Sequence, residues 1–160
     1  MTTAIQPDLF RTLLRRHAAG VVVITAPGER PAGFTATSFT SVSLSPPLIS
    51  FCLNRAASSW PTVSTARHVG VHLLAAGQED LARTFATSGI DRFGQPTRWR
   101  EGPFGVPVLA GAQALLICRV ANHVEAGDHT IVLAELVDGE HDEDGIAPLL
   151  YHMGRYLGAA

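Results

Sequence analysis

The sequence predicts a mainly β fold of the α+β class, a β-barrel of short strands flanked by a few helices, and three observations predict it. Short β-branched runs recur along the chain, each closed by a Gly- or Pro-containing turn signal. Helical spacing of apolar residues is rare by comparison. Near the end, two long strand-like runs are separated by Gly127-Asp128, a hairpin turn pair. Many strands with few helices are accommodated by a sheet that curls on itself. The chain has 160 residues, no repeat and no linker-like stretch, so residues 1–160 are expected to form one domain.

Leu9, Phe10, Leu13 and Leu14 have helical spacing within residues 8–17, and Gly20 is placed to stop that helix. Residues 21–25 form a β-branched strand, punctuated by the turn Pro27-Gly28-Glu29-Arg30. Alternation resumes at Ala32 and runs into a Thr/Ser-rich segment, with Thr35, Thr37 and Phe39 on one face and Ser38 and Thr40 on the other. Pro46-Pro47 breaks it, and residues 48–53 read as a buried strand. Pro61 stands near the first position of a short helix over 61–67. A strand over 69–74 and an amphipathic helix over 78–85 follow. Residues 87–106, polar and punctuated by Gly and Pro, read as a long loop folded over something. The long hairpin comprises residues 112–124 and 129–137. Residues 138–144 hold five acidic side chains and read as a solvated hairpin tip, and 146–151 supply a last strand.

Charged residues make up only 16% of the chain against 46% hydrophobic, so part of an apolar surface is expected to meet a partner subunit. The net charge of −2, without a basic stripe, argues against nucleic acid. No apolar stretch approaches transmembrane length, and the first residues lack a basic region followed by an apolar core. A cytoplasmic protein without a membrane partner is the expectation. Cys52 and Cys118 sit in apolar runs far from any Cys-x-x-Cys spacing and read as buried free thiols. All twelve Lys/Arg cations are arginine, so a fixed cationic grip on an anion must be Arg, with hydroxyls and backbone amides supplying the rest. His123, His129, His141 and His152 lack metal-ligand spacing, and no metal is expected. Gly-x-Gly-x-x-Gly, Walker and Gly-x-Ser-x-Gly patterns are absent.

Two clusters carry candidate chemistry. The first is Thr35, Thr37, Ser38, Thr40, Ser41, Ser43 and Ser45. An exposed strand face accounts for about half of these hydroxyls, since Thr is common there. The crowding of small residues also leaves backbone open to a planar ligand. The second is Asn54-Arg55-Ala56-Ala57-Ser58-Ser59-Trp60, between a strand end and a helix start. Free N–H groups and a helix dipole there suit a phosphate, with hydroxyl donors from Ser58 and Ser59 and a charge-assisted one from Arg55. Ordinary N-capping by either serine is the alternative.

In order along the chain stand Gly20-Val21-Val22-Val23-Ile24-Thr25, Gly33-Phe34-Thr35-Ala36-Thr37-Ser38-Phe39 and Ser41-Val42-Ser43-Leu44-Ser45-Pro46-Pro47-Leu48. Asn54 with Ser58, Phe85-Ala86, Arg92-Phe93, Pro107-Val108-Leu109, Gly127-Asp128-His129, and Pro148-Leu149-Leu150-Tyr151 with Gly154 and Tyr156 follow. This ordered set resembles the short-chain flavin reductases, the reductase components of two-component flavin-dependent monooxygenases. The resemblance implies an FMN-binding split β-barrel of Greek-key topology, a homodimer that binds FMN or FAD and oxidises NADH or NADPH. It also implies a flavin-dependent monooxygenase as the recipient of reduced flavin.

By the same resemblance, flavin contacts fall to Thr35, Ala36, Thr37 and Ser38, to Cys52, Leu53 and Asn54, and to Ser58, Ser59 and Trp60. Phe85, Ala86, Arg92, Asp128, Tyr151 and Gly154 are the further cofactor-binding candidates it implies. His72 stands where the family commonly has Asn; a donor to the flavin and a buried histidine with a backbone partner both remain open. His129 is placed near the nicotinamide, where a neutral imidazole would bond the carboxamide and orient the ring. Hydride transfer needs alignment more than a base. Arg155 and Tyr156 would close over the cofactor or its pyrophosphate. Main-chain N–H groups near Thr35 to Ser38 or after Leu53 are candidates to offset charge on a reduced flavin. A flavin- or haem-binding barrel that stores or senses, and a pyridoxine-phosphate-oxidase-like enzyme with a more cationic phosphate site, are the rival readings.

Overall fold

The computed structural model describes residues 3–143 and 145–158. Helix α1 (Pro7–Leu14) is followed by strands β1 (Ala19–Gly20), β2 (Val22–Ala26), β3 (Ala32–Ala36), β4 (Thr40–Leu44) and β5 (Pro47–Asn54). Helix α2 (Trp60–Val63), strand β6 (His68–Leu73) and helix α3 (Glu79–Ala86) come next. Strands β7 (Trp99–Glu101), β8 (Pro107–Leu109), β9 (Ala114–Ala126), β10 (His129–His141), β11 (Leu149–His152) and β12 (Arg155–Gly158) complete the order. The protein is mainly β, with antiparallel sheets and few helices, as its composition of runs predicts.

The main sheet has the strand order β3-β2-β6-β9-β10-β5-β4. Its outermost strands, β3 and β4, are consecutive in the chain and separated only by residues 37–39. That link spans no more than about 14 Å, so the sheet must curl until its two edges approach. No strand ladder joins those edges among the described residues. A small sheet, β1-β11-β12, and the pair β7-β8 lie beside it.

Every residue of β2 is buried because it has a core on each face. Val22, Ile24 and Ala26 face a cluster with Phe34, Phe51, Val71 and Val132, whereas Val23 joins Val21, Leu74, Phe85 and Leu149. A β-branched run buried on both faces needs no alternation. Strand β5 does alternate: Ile49, Phe51 and Leu53 are buried, and Ser50, Cys52 and Asn54 are half-buried. Expected as a wholly buried strand, it therefore presents its second face to other groups.

Several expectations need correction. The acidic segment is no hairpin tip: Asp138–His141 stay in β10 and pair with Ile117, Leu116, Leu115 and Ala114 of β9 beyond a bulge at Leu136/Asp138. Backbone pairing is indifferent to side-chain charge when the side chains stay exposed, as these do; Asp144 lies outside the described residues. The loop over 87–106 contains β7, which pairs with β8. Helix α2 is one turn, shorter than 61–67. Helix α1 ends at Leu14, and none of its residues is buried. Leu9, Phe10, Leu13 and Leu14 are each about half exposed.

Candidate active site

The ends of β3 and β5, residues 57–59, the end of α3 and the start of β10 converge on a cleft of about 420 Å³. The fold brings Thr35, Ala36, Thr37 and Ser38 there together with Cys52, Leu53, Asn54, Ser58 and Ser59. Phe85, Ala86, Arg92 and His129 complete the set of sequence-predicted residues lining it. Phe34, Ala57 and Ser88 also line it; Phe34 and Ala57 lie inside the sequence motifs without an assigned contact, and no local signal marks Ser88.

Three of the seven hydroxyls in the first cluster, those of Thr35, Ser38 and Thr40, hydrogen-bond to backbone. Thr35 Oγ1 donates to Ala82 O at 2.6 Å, tying β3 to α3. The Cys52 N–H donates to Ser38 Oγ at 2.9 Å, which links the segment after β3 to β5 across the curled sheet. The expected alternation of Thr35, Thr37 and Phe39 against Ser38 fails because β3 ends at Ala36 and the chain bends before β4. Thr37 and Ser38 consequently both line the cleft.

The second cluster is a turn built on Asn54. Asn54 Oδ1 accepts the Ala56 N–H at 2.8 Å, and Asn54 O accepts the Ala57 N–H at 3.0 Å. The chain then delivers Ser58 and Ser59 to the cleft wall. Ser59 is 4% exposed, yet its Oγ has no hydrogen-bond partner among the described residues. The N–H groups of Ser58 and Ser59 likewise donate to no protein acceptor among the described residues. A buried hydroxyl left unpaired costs roughly 1–3 kcal/mol, a cost that an anionic oxygen placed against it removes. Thr130 Oγ1 is also buried without a partner, but it is not among the groups lining the cleft. Because α2 is a single turn, loop amides and Ser59, not a helix dipole, make this wall suited to a phosphate.

Arg55 does not point at that wall. Its Nη1 donates to His129 O and its Nη2 to Gly127 O, while its backbone N–H donates to Asp128 O at 3.1 Å. The expected phosphate donor instead grips the β9–β10 turn. Register places His129 opposite Asn54 of β5 and Ala126 of β9, so residues far apart in sequence become neighbours. His129 Nδ1 lies 2.6 Å from Asp128 Oδ1. That hydrogen bond to His129 holds the Asp128 carboxyl below its usual range, and the Arg55 guanidinium adds to the effect. With Nδ1 engaged, Nε2 is the ring nitrogen left for a ligand. Asp128 itself does not line the cleft; it acts on His129.

Arg92 donates from Nη1 to Gly33 O at 2.5 Å and from Nε to Thr87 O at 3.1 Å, pinning the long loop to β3. A second groove of about 680 Å³ adjoins the cleft and shares Ser58, Ser59 and Arg92 with it. Arg30, Pro31, Phe93 and Trp99 line its far part.

Other candidates lie elsewhere. His72 is fully buried. The Leu109 N–H donates to its Nε2 at 3.0 Å, so Nδ1 carries the proton and donates to Val23 O, also at 3.0 Å. Burial pushes its pKa down to about 4. A neutral imidazole with both nitrogens engaged is a strut between β6, β2 and β8, with no donor left for a flavin. Trp60 packs against the main core, its ring centroid 6.3 Å from that of His123, and does not line the cleft. Tyr151 and Tyr156 stack edge-on at 5.0 Å within the second core, with Arg83 over the Tyr156 ring. Gly154, at φ 76°, turns between β11 and β12, and Arg155 begins β12. Arg15 clasps that turn by donating from Nη2 to Met153 O at 3.1 Å. None of these four lines the cleft.

Among the described residues no group of three His, Cys, Asp or Glu side chains is placed to hold a metal ion. No helix among the described residues is long and apolar enough to cross a membrane. Cys118 is buried, which pushes its thiol up to about 12, whereas Cys52 is half-buried at the cleft.

Comparison with known proteins bears on this cleft. Residues 14–160 match the flavin reductase like domain. An NADH:FMN oxidoreductase of Rhodococcus qingshengii is 43% identical over 161 residues, covering 98% of this chain and 83% of that protein. HsaB of Mycobacterium tuberculosis, the reductase subunit of a flavin-dependent monooxygenase, is 32% identical over 99% of this chain and 85% of its own length. Among solved structures, the NADH:FAD oxidoreductase SgcE6 of Streptomyces globisporus, in complex with NAD and FAD fragments, superposes with a TM-score of 0.91. It is 36% identical and covers 99% of this chain and 98% of that one. A match that begins within the last turn of α1 and includes every cleft-lining element makes this chain a member of the flavin reductase like domain family.

Proposed function

We propose that this chain is an NAD(P)H:flavin oxidoreductase that reduces FMN or FAD and supplies the reduced flavin to a flavin-dependent monooxygenase. The similar proteins named NADH:FMN oxidoreductase, NADH:FAD oxidoreductase and monooxygenase reductase subunit support this reading. The observation that carries it is the unpaired, buried Ser59 hydroxyl beside free Ser58 and Ser59 amides, in one cleft with His129.

A bound flavin supplies the ring that takes a hydride from the nicotinamide. In this reading Ser58 and Ser59 hold its phosphate through two amides and one hydroxyl. The ends of β3 and β5 flank the ring with small side chains, Ala36 and Ser38 among them, so that backbone comes close. The Thr37 and Ser38 amides donate to no protein acceptor among the described residues and are the donors at hand for charge developing on the ring. Phe34 and Phe85 exclude water from the inner wall. His129, held through Nδ1 by Asp128, offers Nε2 to the nicotinamide carboxamide and fixes its orientation. The adjoining groove with Arg30, Arg92 and Trp99 receives the adenylate half of a dinucleotide.

In this reading the curled sheet is a split barrel of Greek-key topology, and the working unit is a homodimer in the cytoplasm. The unburied apolar side chains of α1, together with Leu44 at 91% exposure, support a partner subunit. A pyridoxine-phosphate-oxidase-like role fits less well, because Arg55 is engaged by the β9–β10 turn and Arg92, the arginine that does line the cleft, already donates to Gly33 O and Thr87 O.

The test is anaerobic mixing of the protein with excess FMN or FAD, then NADH or NADPH, while the absorbance of oxidised flavin is followed. Bleaching of many equivalents of flavin per protein supports the reductase. Stoichiometric binding with no bleaching overturns it in favour of a store or sensor. His129→Ala is expected to slow reduction while leaving flavin affinity within about twofold.

A further inference from the structure

We infer that Arg55 is a positioning residue for hydride transfer, acting through His129, and not a ligand of the flavin phosphate. The inference rests on the proposed role of His129.

The end of the β9–β10 hairpin has little packing to hold it in place. Asn122 to Ala126 of β9 are all exposed, and Gly127 turns at φ 62°. A Gly-containing turn at the end of an exposed arm samples many conformations when nothing clamps it. Arg55 supplies the clamp. Its two terminal nitrogens donate to the carbonyls on either side of Asp128, those of Gly127 and His129, and its own backbone N–H donates to the Asp128 carbonyl between them. Three consecutive carbonyls of the turn are thereby fixed from one residue. A planar guanidinium spans two carbonyls two residues apart; a lysine ammonium presents one point charge and cannot hold both in fixed geometry.

The origin of the clamp matters as much as its contacts. Arg55 follows Asn54, which pairs with His129 in the sheet, and it opens the turn that leads to Ser58 and Ser59. One short segment therefore carries the proposed phosphate donors at one end and the restraint on His129 at the other. Displacement of the turn moves the imidazole and Asp128 together, and misplacement of a group that aligns reactants by about 1 Å costs up to roughly 100-fold in rate.

The experiment compares wild-type protein with Arg55→Ala, Arg55→Lys, His129→Ala and the Arg55→Ala/His129→Ala double variant. Anaerobic rapid mixing gives the flavin-reduction rate constant at saturating NADH, and equilibrium titration gives affinities for FMN and for riboflavin, which lacks the phosphate. Both Arg55 variants are expected to reduce flavin about 10- to 100-fold more slowly, with FMN and riboflavin affinities unchanged. The double variant should be no slower than His129→Ala, because a clamp has no effect once the clamped group is gone. Loss of FMN affinity with riboflavin affinity intact makes Arg55 a phosphate ligand and overturns the inference. Multiplying rate losses in the double variant, or full activity in both Arg55 variants beside a slow His129→Ala, overturns it while leaving the His129 role standing. A fully active His129→Ala removes that role and this inference with it. Thermal melting of each variant guards against unfolding, and Arg55→Lys retains the charge and stem if Arg55→Ala proves unstable.

Discussion

Replacing His72 with Asn separates a core strut from a cofactor ligand, and the structure gives the size of the effect. Asn retains a donor near the Nδ1 position for Val23 O but leaves the buried Leu109 N–H without its acceptor. That orphaned donor costs roughly 1–3 kcal/mol, so the variant is expected to be about 2 kcal/mol less stable at neutral pH. Its pH dependence must also change. The pKa of His72 falls from 6.5 in the unfolded chain to about 4 when folded, because burial disfavours the charged form. Between those values the unfolded state binds a proton that the native state does not, so stability declines as pH falls through the window. The imidazole's contribution is complete above the unfolded pKa and is lost by the folded pKa. A gap of that width corresponds to about 3 kcal/mol. Urea denaturation at fixed protein concentration across this range should show wild-type protein losing about 3 kcal/mol that the variant does not lose, so the two curves converge or cross near the acid end. The variant should retain flavin affinity and reduction rate, since His72 does not line the cleft. Parallel stability curves, or an intact stability profile with lost flavin binding, refute the reasoning.

Two further outcomes follow from the same structure. Ser59→Ala removes an unpaired hydroxyl, so the ligand-free protein should be as stable as wild type or about 1 kcal/mol more stable. FMN should bind about 10- to 100-fold more weakly, the loss of one charge-assisted bond, with riboflavin unaffected; isothermal titration against both ligands measures this. Phe10→Glu with Leu13→Glu on α1 should shift sedimentation from dimer to monomer, since each half-exposed apolar side chain contributes about 1 kcal/mol when covered. A wild-type monomer at micromolar concentration would remove the dimer from the account.

What the sequence disclosed was whatever depends on near neighbours. The β-branched run at Val21 to Thr25 read as a strand because every side chain in it suits one, and the Gly127-Asp128 pair read as a turn for its own conformational reasons. The serine-rich turn after Asn54 was visible for the same cause. Long-range pairing was not visible. Nothing near Arg55 announces that its guanidinium faces Gly127 and His129, because that follows from β5 pairing with β10. The sequence leaves two roles open for His72 because its acceptor and donor, Val23 and Leu109, come from other strands. The acidic residues from Asp138 carry side-chain charge that locally signals a loop, whereas a long β9 supplies a backbone partner regardless of charge. Thr35 and Ser38 line the cleft, and their hydroxyls secure α3 and β5.

The account stands on where the flavin sits. A crystal structure of the protein saturated with FMN tests it most directly: the phosphate should lie within hydrogen-bonding distance of Ser59 Oγ, with the ring between the ends of β3 and β5. Flavin bound with its phosphate away from Ser59, or in a different cavity, would contradict it.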